Sequence, residues 1–138
     1  MKALILEDMP ESQELLCEIA ATAFPDIECE CVADIKSALA HTKSCFQLAL
    51  IDLSLPDGSG LDLLARVREE QLPLAVVMLT GSGDQAAAIA ALRAGADDYL
   101  AKGDAALERL RAILRHAWKR FHEARHQVGG PAAAGPFA

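Results

Sequence analysis

Four short apolar runs in this chain each lead into a side chain that could do chemistry. The first run is followed by two acidic residues and the second run by one. The third run ends in a residue with a hydroxyl group, and the fourth is followed by a residue with an amine. In that order they are Glu7 and Asp8, Asp52, Thr80 and Lys102. Parallel strands all end at the same rim of a sheet, and open α/β sheets carry their sites at that rim. We therefore expect these five side chains to converge.

The predicted convergence points to a metal site that handles phosphate. Three crowded carboxylates repel one another, and each raises the free-energy cost of ionising the others. Mg2+ suits such a site because it takes a few carboxylate oxygens and keeps several waters. A carboxylate beside this ion can attack phosphorus and form an acyl phosphate, while an amine and a hydroxyl stabilise the transferred charge. Asp52, Lys102 and Thr80 have the residue types for these roles.

Strand-like and helical patterns alternate five times along the chain, which predicts a doubly wound α/β fold. Its five-stranded parallel sheet would carry helices on both faces. The run 27–32 alternates apolar and acidic residues, as a half-exposed edge strand does, and this favours the strand order 2-1-3-4-5. The predicted strands are 3–7, 27–32, 47–52, 74–80 and 97–101, and the predicted helices are 10–23, 35–43, 61–70, 84–94 and one from about 104.

The composition and charge of the chain argue against several classes of function. The net charge of −7 is uneven, because residues 105–127 carry +4 and the remainder carries −11. An acidic body argues against nucleic-acid binding by this domain. No apolar stretch reaches the roughly 18 residues that span a bilayer, and the N-terminus lacks the pattern of a signal peptide, so we expect a cytoplasmic protein with no membrane contact. The four cysteines lack the paired spacing of a zinc site.

Four motifs resemble, in order and spacing, those of the receiver domain of two-component response regulators. They are residues 5–8, 50–60, 78–81 and 94–102. The resemblance implies a flavodoxin-like fold and a signalling switch that accepts a phosphoryl group from a histidine kinase or a phosphotransfer protein. It implies no enzyme activity beyond self-phosphorylation from small donors and autodephosphorylation.

The resemblance also implies the roles of the acidic residues. Asp52 would be the phosphoacceptor. Asp8, Asp52 and the backbone carbonyl of Ser54 would hold Mg2+, and Glu7 would act on the ion through a water.

Three further residues receive roles from the same resemblance. Thr80 and Lys102 would bind the phosphoryl oxygens, and Tyr99 would turn inward as Thr80 moves. This switch would change the face formed by the fourth helix, the fifth strand and the last helix. One departure concerns Gly103, because the family has proline there after a cis bond. A cis bond before a residue other than proline costs about 2.5–4 kcal/mol, so Lys102 either follows a different loop path or depends on a strained one.

Several of these residues also have ordinary structural interpretations. Thr80 could cap a helix, Lys102 could be a surface charge, and Tyr99 could simply pack in the core. Asp57, within a Pro-Asp-Gly sequence, is interpreted as a turn residue.

The C-terminal region predicts one long helix, because residues 105–126 contain neither glycine nor proline. This helix would be roughly 33 Å long, about twice the length of a strand of about 17 Å, so its second half would extend beyond the sheet. We expect a receiver domain at 1–118, an extension of the last helix at 119–127 and a disordered tail or linker at 128–138. A stripe near heptad spacing predicts a homodimer or a connection to an output domain, and a frayed, solvated helix is the alternative. The stripe is formed by Leu110, Leu114, Ala117 and Phe121.

Three other functions compete with the phosphoacceptor switch. A phosphatase of the haloacid dehalogenase type needs a second Asp two residues after its nucleophile, where this chain has Ser54. A flavin site needs a phosphate-binding loop after the first strand, where Glu7 and Asp8 would repel phosphate. A receiver that acts only as a dimerisation module, without phosphorylation, is kept open by Gly103.

Overall fold

The computed structural model describes residues 1–41, 46–81, 85–102 and 106–128. The strands are β1 (Lys2–Leu6), β2 (Glu28–Val32), β3 (Leu48–Asp52), β4 (Ser54–Leu55), β5 (Gly58–Ser59), β6 (Ala75–Thr80) and β7 (Asp98–Ala101). The helices are α1 (Pro10–Ala23), α2 (Ile35–His41), α3 (Gly60–Glu69), α4 (Gln85–Arg93) and α5 (Ala106–Val128). Every predicted strand and helix is present, α1 with the predicted bounds and the others with shifted ends. The predicted bounds at residues 43 and 84 of the second and fourth helices, and the predicted start of the last helix near 104, lie outside the described residues. The predicted disordered tail also lies outside them, apart from its first residue, Val128.

The main sheet is parallel and has the order β2-β1-β3-β6-β7. Because β6 and β7 are its fourth and fifth strands in chain order, the predicted order 2-1-3-4-5 is confirmed. The second strand lies at the edge, as its alternating pattern predicted, and the central strands β3 and β6 are buried throughout. The short antiparallel pair β4–β5 was not predicted.

Helices cover both faces of the sheet, because side chains alternate between the faces along each strand. Ala3 and Ile5 of β1 pack on the side of α1 and α5, while Leu4 and Leu6 pack on the side of α2, α3 and α4. The fold class is therefore the doubly wound, flavodoxin-like one that the sequence predicts. In the described part of the chain, no helix has the combined length and hydrophobicity needed to cross a bilayer.

Arg68 of α3 joins the segments that lead into β6 and β7. Its guanidinium donates to the carbonyl oxygens of Leu74 at 2.8 Å and Gly95 at 2.9 Å, and to the carboxylate of Asp97 at 2.9 Å. Asp97 also accepts from the backbone N–H of Val76 at 2.8 Å. This network fixes the starts of both strands. It therefore also fixes their register, which determines where Thr80 and Lys102 lie at the opposite ends.

The apolar stripe of α5 faces its own domain. Leu110, Leu114 and Ala117 are fully buried and Phe121 is 9% exposed, all within the core that contains α1. The prediction that this stripe pairs with a partner is therefore wrong for these four side chains. Trp118 lies edge-on to Phe24, with ring centroids 6.2 Å apart.

Candidate functional site

The parallel register brings the two acidic strand ends side by side. Leu6 of β1 pairs with Ile51 of β3, so the next residues along each strand, Glu7 and Asp52, are neighbours. Glu7 stays in line with the sheet because its backbone N–H donates to the carbonyl oxygen of Val32 at 3.0 Å. The ends of β1 and β3 thus meet where the chain reverses direction across the sheet, which is the usual place for a ligand in this architecture.

The carboxylates of Glu7, Asp8 and Asp52 form one cluster. Each offers an oxygen atom, and these oxygens lie within 4.8 Å of one another. Glu7 is fully buried, Asp52 is 6% exposed and Asp8 is open to solvent. A cation could therefore enter from the side of Asp8 and contact the deeper carboxylates.

Lys102 places its ammonium group against two of these acids. Nζ donates to Oδ2 of Asp52 at 2.7 Å and to Oε2 of Glu7 at 2.9 Å. Its backbone N–H donates to the carbonyl oxygen of Thr80 at 2.8 Å, which extends the β6–β7 pairing to this residue. The interpretation of Lys102 as a surface charge is therefore wrong. The bond from Lys102 to Gly103 lies outside the described residues.

Charge accumulates in the cluster at a free-energy cost. Burial raises the pKa of Glu7, and the neighbouring Asp52 raises it further, although Lys102 acts in the opposite direction. For Lys102, burial alone would lower the pKa, but its hydrogen bonds to Asp52 and Glu7 outweigh burial and raise it. Three carboxylates against one ammonium leave an excess of two negative charges when all are ionised. An all-oxygen donor set with this excess fits a hard divalent cation such as Mg2+.

Thr80 presents a buried hydroxyl at the same rim. Asp52 pairs with Leu79 in the sheet, so the end of β6 lies beside the acidic cluster. Thr80 is 1% exposed, and its Oγ1 has no hydrogen-bond partner within the described ranges. An unpaired buried polar group costs about 1–3 kcal/mol, which a bound ligand oxygen would recover. No cap interaction by this hydroxyl occurs among those residues, so nothing in them supports the helix-cap interpretation.

The β4–β5 hairpin holds the segment that follows Asp52. The backbone N–H of Ser54 donates to Oδ1 of Asp52 at 3.1 Å. At the tip of the hairpin, the carboxylate of Asp57 accepts from the backbone N–H groups of Ile35 at 2.8 Å and Lys36 at 3.1 Å. Asp57 therefore caps the start of α2 and fastens the hairpin to it, a role beyond that of a turn residue. The predicted ligand, the Ser54 carbonyl, belongs to this fastened segment.

Tyr99 lies on β7, the strand at the other edge of the sheet from β2. Its side chain is 38% exposed, so the interpretation as plain core packing is wrong. Two large apolar side chains of α4 are also exposed, Ile89 at 52% and Leu92 at 41%. An exposed tyrosine at this position has room to change its orientation.

Curated relatives of this chain are transcriptional and response regulators. The chain is 39% identical over 119 residues to the transcriptional regulatory protein PmrA of Pectobacterium parmentieri. The matched region covers 83% of this chain and 53% of PmrA. The chain is 38% identical over 117 residues to the response regulator protein PilR of Pseudomonas aeruginosa, covering 84% of this chain and 26% of PilR. The chain thus spans about half, or less, of the length of these relatives.

Solved structures and a family model agree with these relatives. A CheY-like response regulator receiver domain protein from Methanospirillum hungatei JF-1 is 28% identical and superposes with a TM-score of 0.73, covering 88% of this chain and 97% of its own. The model of the response regulator receiver domain matches residues 3–115. With the acidic cluster, Lys102 and Thr80 at the ends of its strands, this chain belongs to the response regulator receiver domain family.

Proposed function

We propose that this receiver domain is a switch that is phosphorylated on Asp52. One observation carries the proposal: the carboxylate of Asp52 lies in the acidic cluster with each oxygen held by a donor. Oδ1 accepts from the Ser54 N–H at 3.1 Å and Oδ2 accepts from Lys102 at 2.7 Å. A nucleophile fixed in this way is oriented before a phosphodonor arrives, which lowers the entropic part of the barrier.

The chemistry follows from the residue types. A carboxylate oxygen of Asp52 forms a bond to the phosphorus of the donor, and the bond from phosphorus to the donor's leaving group breaks. The leaving group keeps the electron pair and takes up a proton. Lys102 and the Thr80 hydroxyl donate to the phosphoryl oxygens, where negative charge concentrates.

The acidic cluster supplies the metal site of this reaction. Asp8, Asp52 and the Ser54 carbonyl would hold Mg2+ directly, and Glu7 would act through a water. When bound, the ion neutralises charge on the carboxylates and the phosphoryl group. Glu7 and Asp8 also keep the site from accepting free phosphate in its metal-free form, because their charges repel the anion.

Phosphorylation would be transmitted by the hydroxyl of Thr80. It has no partner to give up among the described residues, so a new hydrogen bond to a phosphoryl oxygen would draw Thr80 toward Asp52. Tyr99, now 38% exposed, would turn inward into the space that Thr80 leaves. The face formed by α4, β7 and α5 would change with it.

The partners follow from this chemistry. The donor would be a histidine kinase or a phosphotransfer protein in the cytoplasm, and the domain itself would contact neither nucleic acid nor membrane. We assign it no enzyme activity beyond self-phosphorylation from small donors and autodephosphorylation. Any output domain that the switch controls would lie beyond residues 1–138.

Intact-mass spectrometry with a small phosphodonor tests the proposal. Incubation with acetyl phosphate and Mg2+ is expected to add one phosphoryl group to the wild type and none to Asp52→Asn. Asp62→Asn is the matched control, because Asp62 is an exposed acid on the nearby helix α3. Omission of Mg2+ should slow the wild type at least about tenfold, the scale of a lost transition-state charge interaction. Equal labelling of Asp52→Asn and wild type would disprove the assignment.

A role for α5 in self-association now depends on its exposed basic face. Arg115 and Lys119 lie one turn apart and are both exposed, and the remainder of the chain is acidic. Double reversal to Glu is expected to weaken a dimer formed with the phosphate mimic beryllofluoride, as measured by sedimentation velocity. The control for net charge is Lys36→Glu combined with Arg66→Glu, two exposed basic residues on α2 and α3 whose reversal changes the charge by the same amount. If wild type and double variant are monomeric with and without the mimic, α5 has no homodimer role.

A further inference from the structure

Two cysteines outside the acidic site face each other across different elements. The Sγ atoms of Cys17 on α1 and Cys31 on β2 are 3.2 Å apart. Both side chains are half-buried, and neither takes part in the proposed phosphoryl transfer. Cys29 lies two residues before Cys31, on the same face of the strand. The residues that the structure describes thus contain three free thiols in one small region.

The position of Cys31 allows the two sulfur atoms to approach further. A disulfide bond is about 2.05 Å long, so the present separation exceeds it by only about 1 Å. Among the described residues, β2 is an edge strand that pairs with β1 alone, and its outer side makes no sheet hydrogen bonds with any of them. Small rotations of the two side chains, with a small shift of this edge, can therefore close the gap.

The environment of the thiols sets the order of events. Burial raises the pKa of Cys31 to about 12, and the hydrogen bond to Cys17 raises it as well. Burial also raises the pKa of Cys29 to about 12, with the nearby Cys17 as the second cause. Because the thiolate is the nucleophile in thiol–disulfide exchange, Cys29 and Cys31 are poor first attackers.

We infer that Cys17 and Cys31 form a disulfide-forming site that reacts with low-molecular-weight disulfides. The sulfur of Cys17 attacks one sulfur of the reagent, which forms a mixed disulfide and releases one thiol molecule. Cys31 then attacks the sulfur of Cys17, loses its proton, and displaces the second thiol molecule. The protein pair loses two electrons and two protons, and the reagent disulfide gains them as two thiols.

The new bond would tie α1 to the edge of the sheet. It closes a loop of about 15 residues, for which restriction of the unfolded chain is worth about 3 kcal/mol and predicts a rise in melting temperature of roughly 9–12 °C. In a reducing compartment such a bond is transient and reports the redox state. α1 also contacts the acidic site, since Gln13 donates to the carbonyl oxygen of Glu7 at 2.6 Å. The bond would therefore restrain a helix that adjoins the phosphoacceptor site.

Peptide mapping of the full chain after treatment with oxidised glutathione tests this inference. Trypsin leaves Cys17, Cys29 and Cys31 together in peptide 3–36 and separates them from Cys45. Further cleavage after glutamate gives fragments 15–18, 29–30 and 31–36, each with one of these cysteines. We expect fragment 15–18 to be joined to 31–36, with the loss of two hydrogens, and the melting temperature to rise.

Two serine variants separate the possible pairings. Cys29→Ser is expected to keep the linkage and the rise in melting temperature, and Cys31→Ser is expected to lose both. Linkage of 15–18 to 29–30, glutathione adducts without any linkage, or no reaction of the folded wild type would each overturn the inference. The map of the wild type decides the question even if a variant fails to fold.

Discussion

Gly60→Ala is expected to destabilise the domain by about 2–3 kcal/mol, the cost of forcing a methyl group into a filled core. A Cβ at Gly60 would collide with the backbone carbonyl oxygen of Asp52 and would lie 2.8 Å from Cγ2 of Ile51. Neither backbone nor β-branched side chain can move without disturbing the other, so the segment bearing Asp52 must shift. Thermal denaturation should show a fall of roughly 6–12 °C, and phosphorylation of the folded fraction should slow.

Gly81→Ala is the matched control for that experiment. Apart from its two chain neighbours, no described residue has an atom within 4 Å of the position where its Cβ would be, although Gly81 directly follows Thr80 at the same rim. Its melting temperature should stay within about 2 °C of the wild type, as for substitutions without steric conflict. A Gly60→Ala protein as stable as Gly81→Ala would show that α3 does not approach Asp52 as closely as described.

Mg2+ is expected to stabilise the wild type, and Glu7→Gln is expected to remove most of that effect. At about ten times its dissociation constant, a ligand that binds only the native state adds roughly 1.4 kcal/mol, or about 4–6 °C here. Glu7→Gln should increase the free energy of unfolding of the metal-free protein by on the order of 1 kcal/mol, and so raise its melting temperature, because it removes a buried charge beside Asp52. Lys102 keeps its 2.7 Å hydrogen bond to Asp52 in this variant.

The pH dependence of stability gives a second readout for Glu7. Its pKa in the folded state is raised above the ordinary value of 4.5, so between these two values the native state binds more protons than the unfolded chain. Metal-free wild type should therefore lose stability as pH rises from about 4.5 through the folded pKa, and Glu7→Gln should lose less. Burial also raises the pKa of Asp97, but that contribution is common to both proteins and cancels in their difference.

Asp8→Asn separates metal binding from the effect of burial. Asp8 is exposed, so its replacement should change metal-free stability far less than Glu7→Gln while also reducing the response to Mg2+. A wild-type melting temperature that does not respond to millimolar Mg2+ would argue against a formed metal site.

The sheet and its rim were predictable because they depend on short-range patterns. Continuous apolar runs predicted the buried strands β3 and β6, and the alternation at 27–32 predicted the edge strand. Once the order was known, Glu7 and Asp52 had to be neighbours, since parallel strands end together. The site position therefore followed from topology and needed no knowledge of side-chain geometry.

Contacts that depend on how distant elements meet were not predictable in this way. Asp57 is 22 residues from Ile35, and a Pro-Asp-Gly sequence indicates a turn without naming the helix that it caps. Cys17 meets Cys31 only because α1 rotates that side toward β2. The stripe ending at Phe121 had the spacing of a pairing helix, but that spacing equally suits a helix covering its own sheet, which is the outcome here.

The presence of Gly103 in place of proline left the position of Lys102 open in the sequence. Without the family's proline, the path of the loop was open, and with it the reach of Lys102. The ammonium group nevertheless lies 2.7 Å from Asp52 and 2.9 Å from Glu7. The alternative of a dimerisation module without phosphorylation gains no support from this lysine, because its contact with Asp52 is the one that the proposed phosphoacceptor role requires.

Chemical trapping of the acyl phosphate tests the central proposal most directly. Borohydride reduces an aspartyl phosphate to homoserine, and this marks the acceptor irreversibly for peptide sequencing by mass spectrometry. After treatment with acetyl phosphate and Mg2+, we predict homoserine at position 52 and unchanged aspartate at Asp8 and Asp57. Homoserine at another acid, or none in protein that carries a phosphoryl group, would contradict the assignment of Asp52 as the phosphoacceptor.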